Sequence, residues 1–88
     1  MASYEIVFKP SVGKDLRQLS RELVTRITEH IARLAEDPFP RQAVKLSGAE
    51  RFYRVRVGDY RILYEVDTQM KQVTIHCVRH RREVYRSL

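Results

Sequence analysis

Between positions 53 and 66 the chain reads Tyr53-Arg54-Val55-Arg56-Val57-Gly58-Asp59-Tyr60-Arg61-Ile62-Leu63-Tyr64-Glu65-Val66, with Arg54, Arg56 and Arg61 as its only cations. Each guanidinium is a planar fork of donors that matches phosphate oxygens, and it does not give up its proton in a protein. Such groups can hold a phosphate and offset charge that builds on it, but they cannot act as a base. A second set follows in Arg79-His80-Arg81-Arg82-Glu83-Val84-Tyr85-Arg86. There His80 can exchange a proton near neutral pH, and Tyr85 can donate a hydrogen bond or stack on a base. His80 equally fits a surface histidine in a basic loop, and Tyr85 a core aromatic that pins the tail.

A turn decides whether the arginines converge. Gly58-Asp59 is a two-residue loop with glycine first, the preference of a type II′ hairpin. Val57 then pairs with Tyr60, Arg56 with Arg61, Val55 with Ile62, and Arg54 with Leu63. Residues directly opposite share a face. Tyr53, Val55, Val57, Tyr60, Ile62, Tyr64 and Val66 therefore make one apolar face, and Arg54, Arg56 and Arg61 lie together on the other, beside Leu63. Like charges placed opposite one another are destabilising by up to about 1 kcal/mol, so this face calls for an anion. A phosphodiester backbone supplies one. An acidic protein partner, or plain solvation of a basic face, fits the same pattern.

The elements that position this hairpin are legible from periodicity. Tyr4-Glu5-Ile6-Val7-Phe8 reads as a first strand, ended by Lys9-Pro10. Ser11 is placed to cap a short helix with Val12, Leu16 and Leu19 on one face. Ser20 is placed to cap a second, whose stripe runs Leu23, Val24, Ile27, Ile31, Leu34 and Ala35. Asp37-Pro38-Phe39-Pro40 stops it, because the residue before proline avoids helical geometry. Lys45-Leu46-Ser47-Gly48 turns the chain into the hairpin. A last strand runs from Val73 to Val78, after the connection Asp67 to Gln72. The expected class is α+β in the order β-α-α-β-β-β, a helical hairpin packed on one face of a small, antiparallel-rich sheet. Residues 1–88 form a single domain.

Charge and composition narrow the function classes. Seventeen Lys+Arg against eleven Asp+Glu give +6, and most of the excess lies beyond Arg51 as arginine, which favours a polyanion. One cysteine, Cys77, forms no internal disulfide and fits a reducing cytoplasm as a core filler. No stretch is long and apolar enough to span a membrane. His76 and His80 have a zinc-binding spacing only on a helix; on a strand they are roughly 13 Å apart. His30, on the second helix, reads as structural or exposed. Neither a Gly-rich phosphate loop nor a Ser/His/Asp set is present, and Glu65 and Glu83 are expected to pair with arginines. No metal site and no cofactor are expected.

The segment from Tyr53 to Val66, the preceding Lys45-Leu46-Ser47-Gly48 and the ending His80-Arg81-Arg82-Glu83-Val84-Tyr85-Arg86 resemble the RelE/ParE toxin superfamily, and the ending resembles its RelE branch. The resemblance spans essentially the whole chain. It implies a RelE-like fold and a ribosome-dependent, metal-independent endoribonuclease that cuts messenger RNA in the ribosomal A site. It also implies neutralisation by a RelB-like antitoxin, and contact with promoter DNA only through the toxin–antitoxin complex. By position the implied active site is Arg54, Arg56, Arg61, Arg81 and Tyr85. The reaction is attack of a ribose 2′-OH on its adjacent phosphate, leaving a 2′,3′-cyclic phosphate and a free 5′-OH. Arg56 and Arg61 stabilise the phosphate, Arg81 supports the leaving group, and Tyr85 orients the substrate by stacking. Lys45, Arg51, Arg79 and Arg82 are substrate-binding cations. Where RelE itself often carries lysines, this chain has Arg54 and Arg56, so the proton acceptor falls to His80 or to ribosomal RNA. The ParE branch, which poisons DNA gyrase, and a non-catalytic basic binding module are the alternatives.

Overall fold

The computed structural model describes residues 3–46, 48 and 50–81. Its elements are β1 (Glu5–Phe8), α1 (Pro10–Arg17), α2 (Arg21–Glu36), β2 (Val44–Lys45), β3 (Phe52–Val57), β4 (Tyr60–Asp67) and β5 (Gln72–His80). The five strands form one mixed sheet in the order β1-β5-β4-β3-β2. β1 runs parallel to β5, and the other neighbours are antiparallel. The α+β class and the helical hairpin over one sheet face are as expected.

Three local expectations are corrected. Ser11 does not cap α1: Lys9 holds that position without a side-chain bond, because Pro10 already presets the first helical residue. Ser11 Oγ donates instead to His76 O at 3.0 Å. The chain before the hairpin forms a short strand, β2, rather than only a turn, with Val44 opposite Arg54 and Lys45 opposite Tyr53. β5 continues past Val78 to His80. Ser20, by contrast, caps α2 as expected, its hydroxyl accepting from Leu23 N at 3.2 Å.

The core lies between α2 and the helix-side face of the sheet. Ile27, Ile31 and Leu34 recur at helical spacing and are buried against Val55, Val57, Ile62, Tyr64, Val66, Val73, Ile75 and Val78, with Val12 added from α1. Tyr64 is fully buried, yet its hydroxyl donates to Pro38 O at 2.9 Å. Burial pushes its ionisation well above the ordinary tyrosine value, with Tyr53 and Asp37 adding to the effect, so the phenol stays a donor. The Tyr64 ring stacks on Tyr53, whose ring meets Phe39 edge-on at 5.2 Å. This ladder fixes the segment leaving α2, the lead-in to β2.

Candidate nucleic-acid interface and active site

The β3–β4 register is Val57↔Tyr60, Arg56↔Arg61, Val55↔Ile62 and Arg54↔Leu63, as the turn requires. Gly58 has φ +60°, a conformation that disfavours residues with a Cβ, and Asp59 does not share it. The hairpin therefore presents Arg54, Arg56 and Arg61 on the face away from the helices. With Gln42, Val44 and Gly58 they line a cleft of about 480 Å³. Arg56 is exposed, and its Nε donates to Gly58 O at 2.8 Å, which curls the side chain over the turn. Arg61 is only 7% exposed. A guanidinium shielded from water interacts more strongly with an anion that enters beside it.

β5 completes the row. Its pairing with β4 slips between Leu63 and Tyr64: Tyr64 faces Ile75, Leu63 faces Cys77, and His76 is the extra residue of a β-bulge. Unbroken alternation from Ile75 would bury Cys77 and Arg79 and expose Val78. The bulge reverses this. Val78 joins the core, and Arg79 falls opposite Arg61, extending the line Arg56–Arg61–Arg79 across three strands. Cys77, expected as a core filler, is half-buried on the arginine side opposite Leu63. Burial pushes its thiol up, with Arg79 opposing and Asp15 adding, so it is a poor nucleophile.

The same slip places His80 opposite Tyr60, its ring 5.2 Å from the tyrosine ring and edge-on to it. Tyr60 packs against the core on the helix side. His80 is therefore not brought together with Arg54, Arg56 and Arg61, because one inserted residue moves its side chain through the sheet. Arg81 lies at the hairpin end of the cleft, its backbone N–H bonded to Asp59 O at 2.8 Å. Lys45 sits on the helix-side face opposite Tyr53. Arg51 pairs with Asp67 at 3.5 Å beside Phe39, away from the arginine row. Arg82 and Tyr85 lie outside the described residues, as does Glu83.

Two groups were not anticipated as parts of the site. Asp15 of α1 accepts from Val78 N at 2.9 Å and forms an ion pair with Arg79. Glu65 pairs with His76 at 3.1 Å rather than with an arginine. Sequence spacing carries no signal for either, since α1 must first dock along β5. Asp15 holds the end of β5 and one member of the arginine row together. Replacing it with Ala leaves the partly buried Val78 N–H without its acceptor, so a loss of about 1–3 kcal/mol is expected in urea unfolding. A loss within experimental error would show that solvent satisfies that N–H equally well.

No helix among the described residues is long and apolar enough to cross a membrane. Residues 6–85 match the family described as the ParE toxin of type II toxin–antitoxin systems. RelE1 of Methanocaldococcus jannaschii is 26% identical over 87 residues, covering 96% of this chain and 97% of that protein. A chain of the RelE–RelB complex of Pyrococcus horikoshii superimposes with a TM-score of 0.81 at 31% identity, covering 90% of this chain and 96% of its own. A chain of the toxin–antitoxin complex RelBE2 of Mycobacterium tuberculosis gives 0.79 at 27% identity, covering 90% and 99%. A sheet carrying an arginine row on its open face, a fold shared with RelE proteins and a family match across nearly the whole sequence lead to one assignment: the chain belongs to the ParE toxin family of type II toxin–antitoxin systems and, within the RelE/ParE superfamily, is a RelE-type toxin.

Proposed function

We propose that this toxin is a ribosome-dependent, metal-independent endoribonuclease that cleaves messenger RNA in the ribosomal A site and so inhibits translation. The observation that carries the reading is the convergence of Arg54, Arg56 and Arg61 on one cleft, with Arg61 withdrawn from water. A 2′-OH attacks the neighbouring phosphorus, the P–O5′ bond breaks, and the products are a 2′,3′-cyclic phosphate and a 5′-OH. Arg56 and Arg61 offset the charge on the pentavalent phosphate, for which preorganised donors shielded from water are the effective device. Arg81 supports the leaving oxygen, and Tyr85 stacks on a base. Lys45, Arg51, Arg79 and Arg82 contribute to substrate attraction, Lys45 and Arg51 from outside the cleft. With the His80 ring on the other face, ribosomal RNA supplies the proton acceptor.

A RelB-like antitoxin is the proposed neutralising partner in the cytoplasm, supported by the RelE–RelB and RelBE2 complexes that this fold resembles. Promoter DNA is reached only through that complex. The match to a family named for ParE favours gyrase as the competing target. Incubation with translating ribosomes, followed by mapping of transcript 5′ ends, is expected to give discrete cuts, with gyrase supercoiling unchanged in parallel. His80→Gln is expected to keep cutting with an unaltered pH profile. Intact transcripts together with inhibited supercoiling would transfer the protein to the gyrase-directed branch.

A further inference from the structure

The arginine face carries a second cluster that the cleavage reaction does not use. Along β4 the side chains on this face are Arg61, Leu63 and Glu65, and the register places Phe52 of β3 opposite Glu65. Alternation from the buried Ile75 places His76 of β5 on the same face, where its Nε2 lies 3.1 Å from Glu65 Oε1. The Phe52 and His76 rings are tilted against each other at 4.9 Å. The Glu65 and His76 side chains are 31% and 28% exposed, so a ligand lying on the sheet can reach both. Four residues of strand separate Glu65 from Arg61, about 13 Å.

A carboxylate is misplaced on a surface that only has to attract phosphate. Here it is also not neutralised by the arginines: among the described residues His76 is its partner. A partly exposed Glu–His contact of this kind contributes on the order of 1 kcal/mol to stability, so folding energy gives little reason to maintain it. Nucleobases, unlike phosphates, offer N–H donors to a carboxylate, and single-stranded RNA is read through base edges and through stacking on rings. Phe52 and His76 provide the rings, and Glu65 provides the acceptor.

We infer that Phe52, His76 and Glu65 form a nucleobase subsite that selects a base bearing an exocyclic amine and rejects uracil, on an RNA strand whose phosphates lie on Arg54, Arg56 and Arg61. This inference rests on the ribonuclease reading and adds the residues that set its sequence preference. Adenine, cytosine and guanine each present an amine that Glu65 can accept from. Uracil presents a carbonyl oxygen where those bases carry the amine, and its one edge donor, N3–H, sits between two carbonyl oxygens that a carboxylate repels. The hydrogen bond from His76 fixes the carboxylate for this contact.

The test is cleavage of a randomised reporter transcript on translating ribosomes, with the base composition read at each offset from the cut. Wild type is expected to show uracil depleted about tenfold at one fixed offset. Glu65→Gln keeps the size of the side chain and adds an amide N–H that can donate to uracil carbonyls, so the depletion should disappear. His76→Gln should weaken it while cutting continues. Thermal melts of both variants confirm that they fold, and if one does not, the other carries the test. Uracil depletion that persists in both variants, or is absent from wild type at every offset, overturns the inference while leaving the nuclease reading in place. Failure of wild type to cut at all removes the nuclease reading, and this inference with it.

Discussion

Arg61→Met is expected to slow ribosome-dependent RNA cleavage by about 10²–10³-fold while the protein keeps its cooperative fold. The two effects have one origin. Arg61 is 93% withdrawn from solvent and lies in register with Arg56 on one side and Arg79 on the other. A buried positive charge costs desolvation, and like charges opposite one another across strands add to that cost. Methionine fills a similar volume without either penalty. The transition-state phosphate, in contrast, loses a donor held in place where water does not compete. Cleavage assays and urea melts on the same preparation check both halves. A variant that lost activity only in proportion to lost folded protein would show that Arg61 is a structural residue, and the proposed chemistry would lose its centre.

Ile27→Ala is expected to cost about 2–5 kcal/mol, which is a large part of the 5–15 kcal/mol that holds a domain of this kind folded. Ile27 is completely buried in the middle of α2, against the sheet face opposite the arginines. The α2–sheet interface is the main apolar contact of the molecule, and a gap there cannot collapse without moving the helix off the strands. The urea midpoint should fall by about 1–2 M. Val44→Ala provides the contrast: Val44 is 49% exposed and lines the cleft, so its removal should leave the midpoint nearly unchanged. Equal midpoint shifts in the two variants would mean that the core is not where the burial pattern places it.

Much of the site was legible because its information is local. The hairpin register follows from a two-residue loop and strict alternation on either side, and a slip of one residue would have buried three guanidiniums and exposed Val55, Val57 and Ile62. The stripe Ile27, Ile31, Leu34 and the capping serine Ser20 are likewise readable from neighbours within two turns. The start of α1 is ambiguous in the sequence, because Ser11 and Pro10 both signal a helix start, and proline at the first helical position places the cap at Lys9. β2 has no signature in the sequence, because a two-residue strand has no period.

By itself the sequence determined that Arg54, Arg56 and Arg61 share a face and that the opposite face is apolar, since alternation and the Gly58-Asp59 turn leave one register that buries the apolar set. Only the tertiary structure decided the faces of β5. There the chain must satisfy α1, whose Ser11 and Asp15 grip His76 O and Val78 N, and β4, whose Tyr64 packs against Ile75. Both are met by inserting one residue. That insertion sends Arg79 to the arginine row and His80 to Tyr60, because in a strand every side chain beyond a bulge changes sides together.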